Sequence, residues 1–264
     1  MSAQLNYSFD MEIGVEGQIA DIRNKVVLSK SAEGVIPFGR VVVLGTDKDN
    51  QCKLPSQALD ITNAKYPLGV STSTQAIESS DDTDYPAYKD EATVNVLKNG
   101  SVYMVAEDAM TAISAVYVRT TAVSQTQTLV FDADLVTGNK VNGLVDGTAI
   151  SEVPFATDNA TTLTNLAQAI ENASTKVLSA TSDGTDTITV VSRLDYDFVL
   201  SSFVVTEGAS QAGAIITETV EPRLTSDLGK IRSDSDSGNA SLISGLSIAK
   251  SASAGELAMV EVSL

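Results

Sequence analysis

The chain has 264 residues, 43% of them hydrophobic, 5% aromatic and none Trp, which allows one large β domain or two smaller units with cores of Val, Leu, Ile and Ala. Its 34 acidic against 17 basic residues give a formal charge of −17, a field that repels phosphate backbones and argues against nucleic acid as a partner. With no His, one cysteine, no run near the ~18 apolar residues of a membrane span and no basic-then-apolar leader, a soluble, unexported chain without intrachain disulfides or membrane contact is expected.

Residues 24–123 read as short strands: Lys25-Val26-Val27-Leu28-Ser29, Arg40-Val41-Val42-Val43-Leu44 and residues 66–71, each bounded by Gly, Asp, Pro or Ser. This spacing is that of an antiparallel β-barrel or sandwich. Residues 92–98, then Asn99-Gly100, then residues 101–106 predict a hairpin, because Asn-Gly suits a two-residue type I′ turn. Pairing Lys98 with Ser101 places Val94, Val96, Tyr103 and Val105 on one face and Leu97, Val102 and Met104 on the other. A strand pair apolar on both faces belongs in an interior or buries one face against a partner subunit, so Val102, Tyr103 and Met104 are candidate contact residues.

From residue 124 to 221 the texture turns to Thr, Ser, Asp and Ala. Leu163, Leu166, Ala167, Ile170 and Ala173 form one apolar stripe of a helix that starts within the capping-rich run 157–161. Strands flank it: Thr128-Leu-Val-Phe131 and residues 150–155 before it, residues 177–182 and 185–191 after it, the last two meeting at Asp183-Gly184. In that hairpin Val177, Ile188 and Val190 share one face and Thr185, Thr187 and Thr189 the other. One helix on a small sheet makes a self-sufficient α+β unit, so 124–221 is expected as a domain inserted into a discontinuous β domain of residues 1–123 and 222–264. The insert carries 13 acidic and 3 basic residues, net −10, against −7 for the remainder, as for a face kept outward in water. Residues 242–248 and 257–262 return to β texture and are expected to close the first domain's sheet.

No cofactor or metal site is expected. Cys52 has no His to activate it and reads as a small buried hydrophobe. Asp234-Ser-Asp236-Ser-Gly238-Asn239 has the opening of a calcium loop, but the sixth and twelfth positions, where an EF-hand needs Gly and Glu, are Asn239 and Gly245, so a polar turn is expected. Asp81, Asp82 and Asp84 cluster on one loop, where solvation is the main reading and a cation the minor one. Carboxylates abound for glycoside cleavage, but Trp, the usual sugar platform, is absent. Arg23, Lys25, Lys30 and Arg40 form a basic patch in sequence, preceded by Asp10, Glu12, Glu16 and Asp21. They are a candidate contact for acidic groups on a partner, with solvated side chains as the default.

Several segments, in order, resemble the structural cement proteins of bacteriophage heads. They are Gly14-Val-Glu-Gly17-Gln-Ile-Ala-Asp21, Phe38-Gly-Arg-Val-Val-Val-Leu-Gly45, Pro67-Leu-Gly-Val70, residues 85–106, Ser114-Ala-Val-Tyr-Val118 and Ala252-Ser-Ala-Gly255-Glu-Leu-Ala-Met-Val260. The insert, with Pro154-Phe-Ala-Thr157, its helix and its Asp183-Gly184 hairpin, resembles a small module of phage head and tail proteins. The family domain runs from its Val-Tyr-Val strand directly into the C-terminal strands, whereas 124–221 intervenes here. The resemblance implies a non-enzymatic decoration protein on the outer surface of the capsid, made in the bacterial cytoplasm, with the major capsid protein as partner. It also implies self-association, a trimer in preference to a dimer. A virion surface adhesin acting through the insert, or a tail or neck subunit, are the other readings.

Overall fold

The computed structural model describes residues 14–21, 25–62, 67–74, 86–194, 196–206, 216–218 and 227–264. The chain is mainly β and divides into two compact units, Met1–Thr121 with Leu228–Leu264, and Ala122–Asp227.

The first unit opens with β1 (Val26–Ala32), β2 (Ile36–Pro37), β3 (Val41–Leu44), β4 (Gln51–Lys53), the short helix α1 (Ala58–Thr62), β5 (Pro67–Ser71), β6 (Ala87–Tyr88), β7 (Thr93–Val105) and β8 (Tyr117–Arg119). Five of these strands close a barrel. β1 runs parallel to β4 with Ala32 beside Cys52, β4 pairs β3, β3 pairs β5, β5 pairs β7, and Val96 of β7 lies beside Leu28 of β1. Between barrel and sandwich, the first unit is a barrel.

Alternation along β3 explains its unbroken apolar run. Val42 joins Ala32, Ile36, Phe38, Cys52, Tyr88, Val94 and Val96 in one core, while Val41 and Val43 join Val70, Leu97, Val102 and Met104 in another. Ile36 pairs Tyr88 across β2 and β6, and the Tyr88 hydroxyl donates to the Thr72 carbonyl at 2.7 Å. Cys52 is fully buried in the first of these cores. Burial pushes its thiol up to about 11, so it stays protonated and inert at neutral pH.

The Asn99-Gly100 hairpin does not form. Residues 93–105 are one continuous strand, and Lys98 pairs with Ser101 nowhere in it. Val26 faces Asn99 while Val27 faces Leu97, so Lys98 is an extra, bulged residue. At Asn99 the strand passes from β1 to a C-terminal partner described below. A hairpin would have given each half one local partner; here each half finds an apolar strand far away in sequence. Gly100, at φ +132°, serves the bend rather than a turn.

The second unit contains β9 (Thr126–Phe131), β10 (Lys140–Val145), β11 (Thr148–Ala149), β12 (Val153–Pro154), α2 (Asn159–Ala173), β13 (Val177–Ser182), β14 (Thr187–Ser192), β15 (Leu200–Thr206) and β16 (Ile216–Glu218). One sheet has the order β13-β14-β9-β16, and the β13–β14 hairpin forms with a longer turn than the expected Asp183-Gly184 pair: Ser182 faces Ile188 and the Asp183 N–H donates to the Thr187 carbonyl at 3.0 Å. A second sheet, absent from the sequence reading, gathers β11, β12 and β15 on β10. Leu163, Leu166, Ala167 and Ile170, the predicted stripe, pack with Leu129, Val141, Ile188, Val190, Phe198 and Phe203. Asp158 caps α2 by accepting from the Thr161 N–H at 2.7 Å.

The chain returns to the first unit with β17 (Ile231–Arg232), β18 (Ala240–Leu242), β19 (Leu246–Lys250) and β20 (Leu257–Ser263). β17 and β18 flank β8. β20 pairs β7 from Asn99 to Val105 and β19 pairs β20, so these strands extend the sheet outside the ring instead of closing it.

Candidate functional site

Several of the segments that carried the family resemblance meet at one place in the first unit. A turn at residues 15–18 is closed by the Gln18 N–H on the Val15 carbonyl at 3.0 Å, and the chain then runs along β7. The Gly17 N–H donates to Tyr103 O at 2.8 Å, the Tyr103 N–H to Gln18 O at 3.0 Å, and the Ala20 N–H to Ser101 O at 2.8 Å. On its other side Gly17 accepts from the Ser73 N–H at 2.7 Å. At φ +76°, with any Cβ brought to 2.8 Å from Gly39 N, Ser73 N and Phe38 Cβ, position 17 admits only glycine.

The turn borders a groove of about 970 Å³ whose apolar lining includes Val15, Ile19, Phe38, Ala87, Val105 and Leu257. Beside it Arg40 Nη1 meets Glu16 Oε1 at 2.8 Å, with the side chains 7% and 28% exposed. A surface of this kind, apolar with one neutralised ion pair, suits a macromolecular contact.

Three of the four basic residues grouped in sequence, Lys25, Lys30 and Arg40, are among the described residues. Arg23 lies outside the described residues, as do Asp10 and Glu12. Lys25 is exposed, and Lys30 is half-buried with its ammonium donating to the Asp49 carbonyl. Arg40 is buried and spends its charge on Glu16, because it stands just ahead of β3, both of whose faces are covered. Val102 and Met104 are fully buried in their own chain's core. Tyr103 is half-buried, with Gly14 against its ring. The acidic loop with Asp81, Asp82 and Asp84 lies outside the described residues.

Sequence reasoning missed a charge cluster. Arg119, fully buried, donates from Nε to Glu107 at 3.1 Å and from Nη1 to Asp236 at 2.6 Å. Arg232 reaches Glu107 at 3.2 Å and Asp234 at 2.6 Å. The run resembling a calcium loop is thus a turn whose carboxylates neutralise two arginines. Burial pulls the Arg119 pKa down, but the hydrogen bonds it donates to the Glu107 and Asp236 carboxylates outweigh that and hold it firmly protonated. Glu107 and Asp236 are too far apart in sequence for any local pattern to pair them.

A family model described as "Structural cement protein (E217 gp24/Pam3 gp6)" matches residues 3–177, from the N-terminal segment through α2. The matched range continues past Val118 into the second unit. A solved structure from Mycobacterium phage Patience is similar at 14% identity over 97% of this chain and 94% of that one, with a TM-score of 0.32. No curated protein matches.

Proposed function

The chain belongs to the structural cement protein family, and from that premise we propose that it binds the outer face of a bacteriophage's major capsid protein lattice and stabilises the assembled head. The observation that carries the reading is the family match over residues 3–177, most of the first unit included. A small barrel with a half-open apolar groove offers a rigid platform for such a contact. The net charge of −10 over residues 124–221 favours water, so the second unit is the part turned outward in this reading.

Stabilisation then needs no catalytic turnover. A protein that binds the assembled lattice but not separated subunits stabilises the lattice by mass action, and many weak contacts add over many copies. Closed symmetry favours self-association, a trimer in preference to a dimer. The test is co-sedimentation of the purified protein with shells that lack it and, separately, with host cells. Selective retention on shells is expected; selective retention on cells would replace this reading with a host-contacting one.

A further inference from the structure

A groove of about 420 Å³ in the second unit is lined by Asn165, Gln168 and Asn172 of α2 and by Thr148 and Ser151 of the β11–β12 segment. Its volume falls in the range of ligand sites, about 300–1,000 Å³. Positions 165, 168 and 172 are three and four residues apart, so the amides form one stripe of the helix, with the small Ala169 beside them. No charged side chain is in the lining, although residues 124–221 carry a net −10.

The other Asn and Gln side chains described in this unit are spent inside the protein. Gln125 and Gln127 bond the Phe198 and Leu200 backbone, Asn139 accepts from the Val136 N–H, Asn142 bonds Glu152, and Asn159 holds the Leu135 N–H and the Thr185 carbonyl. Among the described residues, Asn165, Gln168 and Asn172 bond no other group of the protein, and neither do the Thr148 and Ser151 hydroxyls. The unit's unspent amides therefore converge on one groove. A merely solvated helix face carries Glu, Lys and Gln, because Asn is a poor helix former, yet Asn165 and Asn172 stand exposed within α2. The one charge of α2, Glu171, accepts from the Ala180 N–H at 2.7 Å.

We infer that this groove binds a neutral saccharide. A carboxamide donates and accepts at once, as does every sugar hydroxyl, so a row of amides edged by hydroxyls matches the vicinal hydroxyls of a sugar ring. The acidic unit around the groove repels sulfated, phosphorylated or uronic sugars, which leaves the uncharged ones. No aromatic ring is in the lining to stack on a sugar, so one site binds weakly, and many copies on one particle add their contacts. A lone chain is then not retained on a glycan surface that holds a decorated head. The site is read on the protein alone and does not rest on capsid binding.

The experiment titrates full-length ¹⁵N-labelled protein with maltoheptaose, with chitotetraose and, as the anionic counterpart, with oligogalacturonate. At least one of the two neutral sugars is expected to move the side-chain NH₂ signals of Asn165, Gln168 and Asn172, and oligogalacturonate to leave them in place. Gln168→Ala/Asn172→Ala is expected to weaken that binding at least about tenfold. Its thermal midpoint is expected at or above that of the unaltered protein, since Ala is the better helix former, so the loss cannot be one of folding. Stationary NH₂ signals with both neutral sugars up to about 10 mM overturn the inference. So does an unchanged affinity in the double variant, or an equal response to oligogalacturonate. No capsid enters the experiment, so none of these results bears on the cement reading.

Discussion

A Cβ placed on Gly69 would lie 2.2 Å from the carbonyl oxygen of Leu97. That approach sits where β5 meets β7, one of the five pairings that close the barrel. Gly69→Ala is therefore expected to push the two strands apart, at a cost of about 1–3 kcal/mol or more, as for overpacking of a closed core. Chemical denaturation followed by circular dichroism measures it. An unchanged midpoint would mean that the ring is not closed at this seam.

Arg119 and Glu107 predict a different kind of loss. Arg119→Met leaves Glu107, 5% exposed in its side chain, with only Arg232 to balance it, and is expected to cost about 3–5 kcal/mol. The double variant Arg119→Met/Glu107→Met removes both charges and is expected to recover much of that loss. Equal destabilisation by the single and double variants would show that the cost came from lost packing and not from a stranded carboxylate.

The ends of the second unit's segment are held by the first unit itself. The Arg119 N–H donates to Lys230 O at 2.9 Å and the Gly229 N–H to Arg119 O at 3.0 Å, so the chain leaves and re-enters across one pair of strands, β8 and β17. Replacing residues 122–227 by a short Gly/Ser linker is expected to leave the first unit folded, with a cooperative transition of its own. A molten or insoluble product would mean that the two units share their stability.

Acid should weaken the second unit through Asp183. Its carboxylate accepts backbone N–H bonds from Thr185, Thr187 and Asp186, which hold it at about 2, below its ordinary 3.8. A lowered folded-state value stabilises the fold above the unfolded value, and that contribution fades as pH falls from about 3.8 to about 2. Asp183→Asn cannot titrate, so its unfolding midpoint is expected to lie below that of the unaltered protein at neutral pH and to change less across this window. Identical pH profiles for the two proteins would remove Asp183 from the account.

How much of this was legible in sequence depended on the range of the contacts. The helix stripe was readable because a stripe repeats within four residues, and the pairing of β13 with β14 because they are neighbours in sequence, although the turn runs past Asp183-Gly184 and sets Ser182 against Ile188. At Asn99-Gly100 the turn rule failed, since distant strands compete for both halves of β7. The apolar grouping survived the error: Leu97, Val102 and Met104 do share a core, because the Lys98 bulge shifts the alternation by one, as a turn would have done. Within the candidate site, the glycines at 14 and 17 were visible as motif residues. The ion pair between Glu16 and Arg40 was not, because 24 residues separate the two in sequence.

The central claim, that the protein cements a phage head, is tested most directly by heating shells that lack it, with and without the purified protein restored at saturating concentration, and following rupture by light scattering. The account predicts that decorated shells rupture at a higher temperature, and that the gain grows with protein concentration until the sites are filled. Rupture at the same temperature with and without bound protein would contradict it.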